Sequence, residues 1–206
     1  MSAKLSPRRI ADDVLEFSVS TSRDAQMLAA QLRSLNLAED IVAGLKTVCV
    51  RFNPKDLPAL EARLVTFDDV NDVPSLMSET IDLNIQYGGE YGPDLPAICA
   101  AANLSEQAFI EMHTGRAHTV EMIGFTPGFA YISGLPDTFA VPRLSTPRSR
   151  VPAGSVGLSS AYTGVYALAG PGGWPLIGRV RDPLFDPESD DSFRLLPGHR
   201  IRFRAV

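Results

Sequence analysis

Few side chains in this sequence are of a type and spacing that could do chemistry. His113 follows Phe109 by four positions, at the margin of an apolar helical face and just before Gly115. A histidine there can complement the carbonyl end of a helix dipole, or act as general acid and base at a pocket mouth. Glu90 and Asp94 flank Tyr91-Gly92-Pro93 in a glycine-rich loop. Two carboxylates so placed can orient an amide or activate water; equally, Asp94 can cap the helix that follows. Arg143, Arg148 and Arg150 form a local basic group, suited to holding a carboxylate or phosphate through charge-assisted hydrogen bonds. Pro171-Gly172-Gly173-Trp174 can offer consecutive backbone N–H groups as an anion nest walled by Trp174. The same four residues also suit a tight turn with the chain's single tryptophan in the core.

Other chemistries are excluded or disfavoured. The three lysines, Lys4, Lys46 and Lys55, never follow a glycine, so the chain has no phosphate-cradling GxxxxGK[ST] loop and is no self-contained P-loop ATPase. Gly154-Ser155-Val156-Gly157 superficially resembles a nucleophile elbow, but Ala153 stands where the first glycine belongs. Ser155 therefore reads as a turn hydroxyl. The histidines His113, His118 and His199 lack HExxH or HxH spacing, and no metal site is expected. A net charge of −5 gives no footprint for nucleic acid. Cys49 and Cys99 lie in apolar surroundings, far apart in sequence, and read as reduced core residues. Neither a signal core nor an apolar run long enough to span a membrane occurs, so a soluble cytoplasmic protein is expected.

Most of the candidates lie in or beside a glycine- and proline-rich run, 123–180, which also carries Phe125, Phe129, Tyr131, Tyr166 and Trp174. Glycine permits positive φ and close backbone approach, while proline fixes φ and deletes a donor, so such a run writes shaped loops. Apolar walls with a few cations suit a small anionic or amide-bearing ligand; a barrel that merely turns often would look similar. Upstream, 14–20 and 47–52 alternate as strands. Helical spacing marks 23–36 and a segment starting at Pro54. Residues 1–13 are expected to be loose, and the acidic, turn-prone stretch 67–78 reads as a connector. The expected division is thus a small α/β domain over 1–78 and a second domain over 79–206. Thr80–Tyr87 gives the cleanest period-two pattern, 94–102 and 106–114 read as helices, and short strands follow to the C-terminus. Arg200, Arg202 and Arg204 alternate with Ile201, Phe203 and Ala205, as on a strand with one solvated face.

Five ordered motifs carry a family resemblance: YGGEYGPDL (Tyr87–Leu95), the helix ending at His113, GFTPGFAYISGLP, PRLSTPRSRVPAGSV and GPGGWPLIGRV. They resemble the family of KipI and allophanate hydrolase subunit 1, many of whose members are called the B component of 5-oxoprolinase. The resemblance is dense over about 80–206 and weaker over 14–67. It implies an α+β chain with a cyclophilin-like β-barrel after the small domain. It also implies a partner, the 5-oxoprolinase C component (allophanate hydrolase subunit 2-like). A larger A component would join them in ATP-dependent opening of 5-oxoproline to glutamate. ATP would bind elsewhere in that assembly, and this chain would carry no cofactor. The family's positions fall on Glu90, Asp94, His113, Phe125, Pro127, Gly128, Phe129, Tyr131, Arg143, Arg148, Gly172, Gly173 and Trp174. By that resemblance His113, Glu90 and Asp94 are the catalytic candidates and the others bind a small amide or lactam. Alternatives within the family are a urea-carboxylase-type subunit that acts on a urea-like amide and a KipI-like inhibitor of a sensor histidine kinase. This chain departs from the pattern at His199, usually acidic, and at Ala167 and Ala169, usually proline and serine.

Overall fold

A computed structural model describes residues 7–65, 79–136 and 139–206; the connector expected over 67–78 lies outside these. The chain divides into two compact units, Met1–Leu76 and Met77–Val206. In the first, strands β1 (Arg8–Ala11), β2 (Val14–Ser18), β3 (Asp40–Ala43) and β4 (Thr47–Arg51) form an antiparallel sheet in the order β1-β2-β4-β3. Helix α1 (Ser22–Ser34) buries Ala25, Leu28, Ala29 and Leu32 in one core with Leu15, Phe17, Val48 and Val50 of the sheet. Its start is fixed by a capping box: the Thr21 side chain accepts from the Asp24 N–H, and the Asp24 carboxylate accepts from the Thr21 N–H. A 3-10 turn at Pro54–Asp56 leads into α2 (Leu57–Val65).

Two strands of this sheet escape the sequence reading. β1 lies in the N-terminal stretch expected to be loose. It pairs with β2 at Arg8↔Glu16, and all four of its residues are exposed, so no apolar alternation could announce it. β3 buries only Ile41, too little for a period to register.

The second unit is a barrel. Its elements are β5 (Thr80–Tyr87), α3 (Leu95–Ala101), α4 (Glu106–Thr114), β6 (His118–Ile123), β7 (Ala130–Ser133), β8 (Arg148–Val151), β9 (Ser155–Ser159), β10 (Tyr162–Val165), β11 (Gly170–Gly172), β12 (Leu176–Val180) and β13 (Arg200–Ala205). Seven of them close in the order β10-β7-β6-β13-β5-β12-β9, and β8 pairs with β11 as a separate two-stranded ribbon. Closure removes the unpaired edges that would otherwise invite association. Leu83, Ile85, Val120, Ile132, Val156, Leu158 and Phe203 share one core with Leu95, Ile98, Cys99 and Phe109 from the two helices. At roughly 1.5–3 kcal/mol for each large side chain fully buried, that core is the dominant stabilising term. β5 and β13 run parallel, and Asp82 on β5 takes both Arg202 and Arg204 on the solvated face of β13. Those guanidinium hydrogen bonds hold the Asp82 carboxyl down to about 2.

Candidate functional site

Phe129, the residue immediately before β7, is buried and touches four other aromatic rings edge-on: Phe125, Tyr131, Tyr166 and Trp174. Edge-to-face contact is the arrangement that ring quadrupoles favour. Space for this packing comes from Gly164 on β10, where an added Cβ would sit 2.5 Å from the Trp174 ring and 2.7 Å from Phe129. The rings, with Arg143, Gly172 and Gly173, enclose a recess of about 60 Å³. That is room for a small planar group or one end of a larger molecule. Seven of the expected binding residues therefore meet: Phe125, Phe129, Tyr131, Arg143, Gly172, Gly173 and Trp174. Tyr166, outside the expected binding set, completes the wall; it follows β10 directly, and Tyr162, Gly164 and Tyr166 continue one alternation two residues apart. Burial raises the Tyr166 phenol above its usual range, partly offset by a hydrogen bond from the Trp174 backbone and by the charges of Arg143 and Arg148.

The loop entering β7 holds Phe125 at φ 69° and leaves the residue 62% exposed. A bulky residue in the left-handed region is strained, and such strain persists where the surroundings enforce it. Here Gly124 N–H donates to the Phe129 carbonyl and Phe129 N–H to the Thr126 carbonyl, closing the turn. Pro127 and Gly128 build that turn and do not line the recess. Gly128 sits at φ 76°, where a Cβ would strike Ala167 and Phe185.

Asp94 and Arg148 are joined across 54 positions of sequence. Arg148 Nη2 donates to Asp94 Oδ1 at 2.9 Å, and the Leu176 N–H donates to Oδ2 at 2.6 Å. The carboxylate makes no capping bond to α3, so of its two readings the capping role drops out and a clamp replaces it. Arg148 stands opposite Gly172 in the β8–β11 ribbon, beside the recess, and its Nη1 is buried without a partner. Beyond Arg143 opens a larger cleft of about 480 Å³, lined by Asp94, one face of α3, Pro175 and residues 139–145.

His113 and Glu90 do not join this group. His113 is fully buried and stacks on Phe109 and Phe203. Its Nδ1 lies 2.6 Å from the Tyr87 hydroxyl and its Nε2 3.1 Å from Thr163 Oγ1. Burial, then the neighbouring His118, push its pKa well below the ordinary histidine value, and burial pushes the Tyr87 phenol far up. Both groups are thus neutral, so one imidazole nitrogen donates and the other accepts, and the ring ties the Tyr87 and Thr163 hydroxyls together inside the core. Glu90 is exposed on the Gly88–Gly92 turn. Ser155, read from the sequence as a turn hydroxyl, follows the turn as the first residue of β9, with its oxygen buried and unpartnered. His199 is buried, its Nδ1 accepting from the Leu196 N–H. Among the described residues there is no cluster of metal-ligating side chains and no helix long and apolar enough to cross a membrane.

Residues 9–195 match the family model described as carboxyltransferase domain, subdomain C and D. The B component of 5-oxoprolinase from Escherichia coli O157:H7 is 40% identical over 179 residues, which span 85% of this chain and 82% of that protein. Among solved structures, TTHA0988 superposes with a TM-score of 0.80 at 29% identity, over 94% of this chain. The chain spans only 40% of that protein's length. The urea carboxylase of Kluyveromyces lactis superposes with a TM-score of 0.75 over 98% of this chain and 22% of its own, at 15% identity. At that identity the likeness speaks for the fold alone.

Proposed function

The chain belongs to the family of the carboxyltransferase domain, subdomain C and D, and from that premise we propose that it is the B component of a heteromeric, ATP-dependent 5-oxoprolinase. The name of its Escherichia coli relative supports the assignment. The observation that carries it at the level of chemistry is the aromatic recess with Arg143 on its wall. A five-membered lactam with one carboxylate needs flat apolar walls for its ring and a guanidinium for its charge. Phe129, Trp174 and Tyr166 supply the walls. Arg143 takes the carboxylate, and Arg148, its charge matched by Asp94, keeps an unpartnered Nη1 as a further donor beside the recess. The lactam is a resonance-stabilised amide, and phosphorylation of its oxygen makes the ring carbon electrophilic enough for water to attack. This chain positions the lactam; the A and C components complete the site and bring the nucleotide. Asp94 acts here by positioning Arg148, while Glu90 and His113 stay outside the recess.

Co-expression with candidate A and C components, followed by assay of glutamate release, tests the reading. Release from 5-oxoproline that requires ATP is expected, with no turnover of urea or allophanate. Consumption of a urea-type amide in place of the lactam would transfer the chain to the urea-carboxylase side of its family.

A further inference from the structure

The cleft of about 480 Å³ between α3 and residues 139–145 is several times larger than the aromatic recess and opens beside it. Its α3 wall is built from Ile98 and three alanines, Ala97, Ala101 and Ala102, whose small side chains leave depth where leucines would fill it. Phe139 and Pro175 continue the apolar lining. Two charged residues border it, and only one is available to a ligand. Asp94 is already neutralised by Arg148 at 2.9 Å and hydrogen-bonded by the Leu176 N–H. Arg143 has no carboxylate partner among the described residues. The cleft thus offers an apolar trough with one uncompensated positive charge at its wall, and Ser145 adds a hydroxyl.

We propose that this cleft is a second binding site, for a small organic monoanion with an apolar body, anchored by Arg143. The size argues for a small molecule: ligand pockets typically measure about 300–1,000 Å³. The charge argues for a single anionic group, since a second would find no free cation on the lining. Arg143 also borders the recess, so an anion drawn to the cleft competes for the guanidinium that serves there. The proposal does not depend on the recess taking a lactam, and its test needs no turnover.

The experiment titrates the purified chain with 8-anilinonaphthalene-1-sulfonate and with N-phenyl-1-naphthylamine, which shares the apolar body without the sulfonate. Saturable, one-to-one binding of the sulfonate is expected, with the neutral probe weaker by on the order of ten-fold, the usual yield of one charge-assisted contact. Arg143→Gln should bring the sulfonate down to the neutral probe. Ala101→Trp should abolish binding of both, with the thermal unfolding midpoint of the variant confirming its fold; Ala97→Leu serves if Ala101→Trp does not fold. Undiminished sulfonate binding in either cleft-filling variant would place the probe elsewhere and overturn the proposal. So would equal affinity for the two probes. A wild-type cleft that takes neither, while α3 amides gain exchange protection only on assembly with a partner protein, would make it a protein interface instead.

Discussion

Arg148 gives Nη2 to Asp94 Oδ1 and keeps Nη1 buried with no partner. Its planar fork therefore matters more than its charge. Arg148→Lys keeps the charge and most of the stem but loses the planar fork and with it the donor at Nη1. It should lower turnover of the assembled enzyme at least ten-fold while costing about 1 kcal/mol or less in stability; full activity with lysine would reduce Arg148 to a structural role. Asp94→Asn leaves the guanidinium, still half-buried, without its counter-charge, and should cost more, about 1–3 kcal/mol in denaturant unfolding. His113 carries a different prediction. Tyr87, Thr163 and His118 face it, and His118 in turn faces the carbonyls of His113 and Ser133. Both histidines have folded pKa values below the ordinary 6.5, so the unfolded chain binds more protons than the folded one below that pH. Their contribution is fully present above about pH 6.5 and is lost as pH falls toward the folded values, at up to about 1.4 kcal/mol per pH unit for each proton. Urea unfolding between pH 7.5 and 5.5 should show the decline, and His113→Gln should flatten it. A flat wild-type profile would mean that the imidazoles are not buried neutral.

The loop between β6 and β7 shows what an element does beyond its sequence pattern. The ring of Phe125 is held outward on a backbone at φ 69°, touching Phe129 at 5.5 Å. If the fold enforces that conformation, Phe125→Gly relieves strain that Phe125→Ala retains. The glycine variant should then be the more stable of the two by about 0.5–1 kcal/mol, with both impaired in turnover or assembly. Equal stabilities would show that the left-handed backbone is not enforced. β5 was legible because one face is buried and its residues alternate. β1 was not, because both its faces are exposed, and pairing rather than burial defines it. The aromatic wall was readable as a composition, but its assembly depends on Gly164 lying beneath Trp174, a contact made by barrel closure rather than by local sequence. The Asp94–Arg148 clamp was hidden for the same reason: 54 residues separate its partners. His113 satisfied two descriptions at once, and only the depth at which α4 packs against β5, β10 and β13 chose between them.

At the scale of the whole molecule, binding character and catalytic equipment are unequally supplied. The barrel unit brings together aromatic walls, two arginines and a carboxylate already committed to one of them. Among the described residues it offers no metal-ligand cluster, and its central histidine is sealed in the core. The sequence holds no GxxxxGK[ST] loop to cradle a nucleotide. Opening a lactam needs an activated oxygen and an oriented water, and among the described residues no carboxylate or imidazole lines the recess to orient one. On the proposed reading the chain binds one end of the substrate and leaves Phe125 exposed at the rim, which makes it half of a site. The purified chain should therefore release no glutamate from 5-oxoproline and ATP, and activity should appear when the A and C components are added together. Phe129→Ala and Trp174→Ala, which remove rings from the recess, should reduce that restored activity and each cost about 3–5 kcal/mol in stability. Phe125→Ala, whose ring is largely exposed, should reduce activity at much smaller cost. Robust hydrolysis by the chain alone would refute the division of labour. Failure to bind any C component, together with tight binding to a histidine kinase, would move the chain to the regulatory branch of its family.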